Sequence, residues 1–328
     1  CCYHGWLYAT DGRIIETPAK EPHTLVERGL CHGAYPSMEY KGLVFVYMGP
    51  PDKRPVFPIY DTCELADYRY DLTSWIWPCN WVQIRENAMD PAHTYFLHTI
   101  ISGAQFTEEF GAVPQLDFYE TSQGMVYVAT RRVSRDLIWV RICEVIQPNI
   151  HQLPSNWNDV TKETIKLRPF LFDWAVPLDD THTMIIGFYV QPKDSEVDGR
   201  ALLEEVPGQS AYRSYSERQD KPGDFEAQVL GRPIVVHALE HLVPNDRGVV
   251  MFRRQLRQQI RTAGTAATEV FDARSDSRTA IPTHAQDSVI RVPMTSADRD
   301  TEIRLMTEVG KNVLKGIYRF DVAATSDM

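Results

Sequence analysis

The sequence predicts an α+β chain, on three observations. Residues 1–48 hold short strand candidates broken by turns, with glycines at 5, 12 and 33 and an apolar run at 43–47. Between 116 and 190, β-branched and aromatic runs alternate with turns, as at 125–133, 137–145 and 184–190, the pattern of an antiparallel sheet. Helical patterns flank that region. Residues 80–98 read as a helix interrupted at Pro91, and Val249, Val250, Phe252, Leu256 and Ile260 recur at helical spacing.

Each stretch follows from its residue types. Residues 49–58 carry four prolines in ten positions, which suits neither a helix nor a central strand. Residues 49–62 are therefore predicted to connect a small β unit (1–48) to a main domain (63–264). Within that domain, 201–230 is charged and reads as helical or irregular. Beyond Thr265 the chain turns polar, so 265–328 is predicted to be a peripheral extension, partly ordered at best.

Composition limits the function classes. The 328 residues are 43% hydrophobic, enough for a sizeable core. A net charge of -10 with no basic run argues against nucleic acid and anionic membranes as partners. The longest apolar runs fall far short of the ~20 residues that span a bilayer, and no leader segment is expected before the first motif. Six cysteines, at 1, 2, 31, 63, 79 and 143, form no tight framework, so a cytoplasmic protein with reduced thiols is expected.

Two constellations carry chemistry. Cys1-Cys2-Tyr3-His4-Gly5-Trp6 sets a thiolate and an imidazole three residues apart, so one short loop offers both to one metal site. Alone, the pair equally suits a buried thiol beside a structural histidine. The second runs from Asn80 to His98. His93 and His98 are five apart, and at ~100° per residue they diverge by ~140° on a regular helix. They converge only where the helix ends or distorts. Asp90-Pro91 is also a good N-cap and first helical residue, which needs no catalysis.

Cys-x-x-His-Gly-Trp-x-Tyr followed by Asp11-Gly12 resembles the second half of a Rieske [2Fe–2S] motif. Asn87, Asp90, His93 and His98 fit, residue for residue, the Asn-x-x-Asp-x-x-His-x-x-x-x-His signature of the Rieske non-haem iron oxygenases. The resemblance covers roughly residues 1–260 and is greatest to the phthalate dioxygenase and vanillate demethylase branch. It implies a small all-β Rieske domain, followed by a catalytic helix-grip domain whose antiparallel sheet wraps a long helix. Cys2 stands where the family usually has proline. The sequence opens at the second half of the motif, so the Cys-x-His half is expected upstream of Cys1.

The resemblance also implies roles. Cys1 and His4 would ligate the [2Fe–2S] cluster, and His93 and His98 a mononuclear Fe(II). The family places the third iron ligand before an Arg-rich helix, which Pro244-Asn245-Asp246-Arg247 fits. Asp246 is therefore the predicted carboxylate, with Glu240 and Asp224 as fallbacks and a turn or cap as its plain alternative. Asp90 would link His93 to the Rieske histidine of a neighbouring subunit in a homotrimer or homohexamer, and Asn87 would support the site. Electrons would come from a separate NAD(P)H-dependent reductase, since no Gly-x-Gly-x-x-Gly occurs.

The implied function is oxygenation of a small aromatic, carboxylated substrate with O2. A demethylating monooxygenase of the same superfamily and a non-catalytic ligand carrier are the alternatives. Arg131, Arg132, Arg135 and Arg141 are candidates to meet a substrate carboxylate. Strand alternation lets at most one of Arg131 and Arg132 face inward, and a solvated outer face is the expectation for any one of them.

Overall fold

The computed structural model describes residues 1–18, 29–198, 201, 209, 213–263, 280–294 and 298–316. It divides into a compact unit at Cys1–Phe57 and a larger one beginning at Pro58, so the junction falls inside the proline-rich stretch.

The small unit holds two hairpins. Strand β1 (Leu7–Tyr8) pairs with β2 (Ile14–Glu16), and β3 (Ser37–Tyr40) with β4 (Leu43–Val46). Lys41 and Gly42 form the two-residue turn between β3 and β4, with φ of 49° and 80°. Both angles are those of a type I′ turn, whose twist matches the flanking strands.

In the larger unit, nine strands among the described residues form one antiparallel sheet. They are β5 (Tyr68–Trp77), β6 (Gln115–Glu120), β7 (Gly124–Arg132), β8 (Leu137–Ile146), β9 (Ile150–Leu153), β10 (Thr164–Lys166), β11 (Leu171–Asp179), β12 (His182–Pro192) and β13 (Gln286–Arg291). Strand β8 is the hub. One edge pairs with β7, which pairs with β6. The other edge is shared: Leu137 to Ile142 pair with β13, and Glu144 to Ile146 with β9. Beyond β9 lie β11, β12 and β5, and beyond β13 lies β10. The α+β expectation holds.

Among the described residues, the helices of the larger unit are α1 (Trp81–Ala88), α2 (His93–Tyr95), α3 (Tyr215–Asp220), α4 (Asp224–Val229), α5 (Arg247–Thr262) and α6 (Arg299–Leu314). Two of them cover opposite faces of β7 and β8. Met125, Tyr127, Ala129, Cys143 and Val145 pack with Met89 and with Met251 and Phe252 of α5. The intervening Val126, Val128, Ile138, Val140 and Ile142 pack with Val309 and Val313 of α6. A strand covered on both faces reads as a continuous apolar run, which is why 125–133 and 137–145 stand out in the sequence.

Two expectations need correction. Residues 286–314 are not peripheral: β13 is inserted into the sheet and α6 closes one face of it. The stretch 264–279 lies outside the described residues. Of the four arginines, Arg135 is exposed as expected, and Arg131, Arg132 and Arg141 depart from the solvated face. Arg131 and Arg141 are 1% and 2% exposed and share the α5 face with Tyr127 and Cys143. Arg132 lies on the opposite face, where its Nε donates to Glu302 of α6 (2.6 Å).

Gly248 fixes how closely α5 approaches α1. A Cβ there would stand 2.2 Å from the carbonyl oxygen of Met89 and 2.5 Å from Phe118 Cε1. Gly248→Ala should therefore destabilise the fold by about 1–3 kcal/mol, outweighing the ~1 kcal/mol that alanine gains in a helix. Denaturant unfolding of the two proteins measures the difference.

Candidate metal centre and its cavity

Helix α1 begins at Asn80, whose Oδ1 accepts the Val82 N–H (3.0 Å). Three consecutive residues near its end are then committed to different partners. Arg85 donates to Asp173 of β11, Glu86 accepts two bonds from Arg253 of α5 (2.6 and 2.8 Å), and Asn87 donates to Asp224 (3.2 Å). Past Pro91 the chain resumes as α2 and widens into a π-helical turn at Phe96–Ile101. The i→i+5 geometry of such a turn is what a pair five residues apart requires. The two imidazole centroids lie 5.1 Å apart, so the predicted distortion brings His93 and His98 together.

Their third neighbour is Asp224, the first residue of α4. His93 Nε2 lies 3.4 Å from its Oδ1, and His98 Nε2 lies 3.4 Å from its Oδ2. The three ligand atoms fall within 4.8 Å of one another. Asp246 is not part of this group. Its Oδ2 accepts the Val243 N–H (2.7 Å), so it serves the turn ahead of α5. The fallback Glu240 is paired with Arg253. Glu226 accepts the Gly223 N–H (2.9 Å) at the start of α4, a bond that only the folded chain shows.

The donor set suits a cation. His98 Nδ1 faces Gln105 Oε1 (2.8 Å), and Gln105 Nε2 donates to the Pro222 carbonyl (2.9 Å). The amide is thus oriented with its acceptor toward His98, and Nδ1 carries the hydrogen. His93 Nδ1 donates likewise to the backbone oxygen of Asp90. Both Nε2 lone pairs therefore point at a carboxylate, an arrangement that an ion or a proton must bridge. Two atoms each ~2.0–2.2 Å from one ion stand ~3.0–3.5 Å apart, which accommodates the observed 3.4 Å. Without an ion a proton is shared. Burial lowers His93, but Asp224 and then Asp90 outweigh it and raise its pKa. Burial opposes ionisation of Asp224, yet His98 and His93 hold it well below the usual carboxylate range. Asn87 and Gln209 (2.7 Å) add donors to the two Asp224 oxygens.

Asp90 is partly exposed. Its Oδ2 lies 3.8 Å from His93 Nδ1, and its Oδ1 accepts the Ala92 N–H (3.0 Å). Cys1 and His4 are exposed and share one turn, in which Gly5 N donates to the Cys1 carbonyl (2.9 Å). Among the described residues no third cysteine, histidine or carboxylate joins them in a metal-sized group. A second such group, Glu86, His237 and Glu240, already has its charge met by Arg253.

The centre opens on a cavity of about 130 Å³, whose walls include Trp75, Trp77, Phe110, Tyr127, Arg141 and His151. None of the described helices is long and apolar enough to cross a membrane.

Residues 46–200 match the family described as LigXa C-terminal domain like. The chain is 37% identical to the tert-butanol monooxygenase / tert-amyl alcohol desaturase oxygenase subunit of Aquincola tertiaricarbonis, covering 92% of this chain and 68% of that protein. It is 36% identical to phenoxybenzoate dioxygenase subunit alpha of Ectopseudomonas oleovorans, over 79% of this chain and 65% of that one. Among solved structures, NdmB of Pseudomonas putida CBB5 superposes with a TM-score of 0.57 at 20% identity, covering 84% of this chain and 74% of the other, a likeness of fold.

Fold and ancestry thus define an oxidoreductase. The chain belongs to the Rieske non-haem iron oxygenases, as an oxygenase alpha subunit, and spans about two thirds of the length of these two relatives.

Proposed function

We propose that His93, His98 and Asp224 hold one ferrous ion, and that the chain uses it to oxygenate a small aromatic, carboxylated substrate. The observation that carries this reading is the pair of Nε2 lone pairs converging on the two oxygens of one carboxylate. Two imidazoles and one carboxylate leave coordination positions free, and an iron so held supplies the activation of O2. The chain's own residues do the rest. Gln105 and the Asp90 carbonyl fix the imidazole tautomers, Asn87 and Gln209 orient Asp224, and Trp75, Trp77 and Phe110 give the cavity an apolar wall.

Cys1 and His4 are proposed as one cysteine and one histidine of a [2Fe–2S] cluster. Reduction would come from a separate NAD(P)H-dependent reductase. Asp90, beside His93 and partly exposed, is the residue placed to connect the centre outward, in a homotrimer or homohexamer. A cytoplasmic setting fits this scheme. The aromatic acid reading draws on relatives named for phenoxybenzoate and phthalate. Monooxygenation is a second reading, favoured by the relative named a tert-butanol monooxygenase.

The test is made on the full-length protein. Ferrous ion added under anaerobic conditions should bind at one equivalent per chain beyond the cluster iron. With reductase, NAD(P)H and ¹⁸O2, both labelled atoms in one product mark a dioxygenase, and one marks a monooxygenase. Failure to bind that extra equivalent sinks the proposal.

A further inference from the structure

The names of the relatives point to two kinds of substrate, a neutral alcohol and an aromatic acid. The charges lining the cavity distinguish them. Arg85 and Asp173 are bound to each other, and Asp224 lies between His93 and His98. His151 adds no charge, since burial, then Arg85 and Arg141, hold its imidazole well below the usual range. Arg131 and Asp287 are buried without lining the cavity, and Asp287, across from Arg141 on β13, faces both arginines, one carboxylate against two guanidiniums. Among the described residues lining the cavity, the remaining cation is Arg141.

Arg141 is 2% exposed and lines the cavity from β8. Three of its N–H groups donate to the Ser155 carbonyl (2.5 Å), the Pro154 carbonyl (3.1 Å) and Asn156 Oδ1 (2.7 Å), all uncharged acceptors. The guanidinium carbon stands 5.1 Å from the Phe110 ring centre and 5.8 Å from that of Trp139. Among the described residues it makes no ion pair with a carboxylate. Loop carbonyls and aromatic faces hold Arg141 in place, while the nearby Asp287 carboxylate is shared with Arg131, so the two guanidiniums keep one positive charge uncompensated, an arrangement that is costly unless a ligand completes it. Resting on the oxygenase reading above, we propose that Arg141 determines specificity by pairing with the substrate's carboxylate, so that the cavity selects a small organic acid over a neutral alcohol or amide.

Benzoate and benzamide, which match in shape and differ in charge, are the probes, with tert-butanol as the neutral alcohol. Binding to the full-length protein is followed by tryptophan fluorescence, since Trp75 and Trp77 line the cavity. Both iron-loaded and iron-free protein are used, so that the ion's own attraction for an anion is separated out. Benzoate should bind about tenfold to hundredfold more tightly than benzamide in both forms, the range of a charge-assisted bond. Arg141→Met should erase that preference, weakening benzoate far more than benzamide, whereas Arg141→Lys should retain part of it. Benzoate that binds no better than benzamide or tert-butanol, or does not bind, overturns the proposal. This comparison in the unsubstituted protein holds even if losing the bonds to 154–156 prevents the methionine variant from folding. A preference for benzoate in a protein that takes up no extra ferrous ion would support this inference while refuting the oxygenase reading.

Discussion

Asp224→Ala is expected to lose the mononuclear ferrous ion and, with it, product formation, by more than about 100-fold. Residues that merely orient a metal ligand already cost 10–100-fold when replaced, and among the described residues Asp224 supplies the one carboxylate facing both imidazoles. Two neutral histidines alone leave the ion's charge uncompensated and give it too few donors. Asp224→Asn is the stricter variant. It keeps the volume of the side chain and removes the charge, so metal affinity should fall sharply while circular dichroism stays unchanged. Asp246→Ala is the control. Its carboxylate holds the Val243 N–H, so iron content should remain near that of the unsubstituted protein. Iron analysis of the full-length protein decides between the two positions. Retention by Asp224→Ala with loss by Asp246→Ala would reverse the assignment.

The contrast between these two aspartates shows where sequence reading works. His93 and His98 are legible because both sit in one segment, and because Pro91 permits the distortion that a pair five apart needs in order to converge, which the π-helical turn supplies. Asp224 lies 126 residues beyond His98, and only the fold brings it near. Locally it is one more aspartate at a helix start, the same signature that Asp246 shows. The paired runs of β7 and β8 were equally legible, since strands covered on both faces cannot alternate with polar residues. Strand β13 was not. Its polar residues find partners inside the protein: Asp287 accepts from Trp139 Nε1, and Gln286 Nε2 donates to the Val313 carbonyl (3.3 Å). Arg131 and Arg141 defeat the same rule, because backbone carbonyls and ring faces take the place of water around them.

Arg85 and Asp173 set the second large effect. Their side chains are 1% and 3% exposed and bonded to each other, joining α1 to the second strand beyond β8. Burial pushes the Asp173 carboxyl up, with Arg85 working against that shift, so the pair is held together against the cost of removing both groups from water. Asp173→Ala leaves the guanidinium buried and unmatched, which should cost about 3–5 kcal/mol. For a unit of this size that lowers the melting temperature by roughly 6–20 °C. The effect should reach the metal centre, since Arg85 is two residues from Asn87, which orients Asp224. Arg85→Met combined with Asp173→Leu removes both charges and fills the space with apolar atoms, so it should recover most of the stability. The pair would then be a device for positioning α1 rather than a net source of stability. A double variant no more stable than Asp173→Ala would contradict that view and assign the loss to packing around α1 and β11 instead.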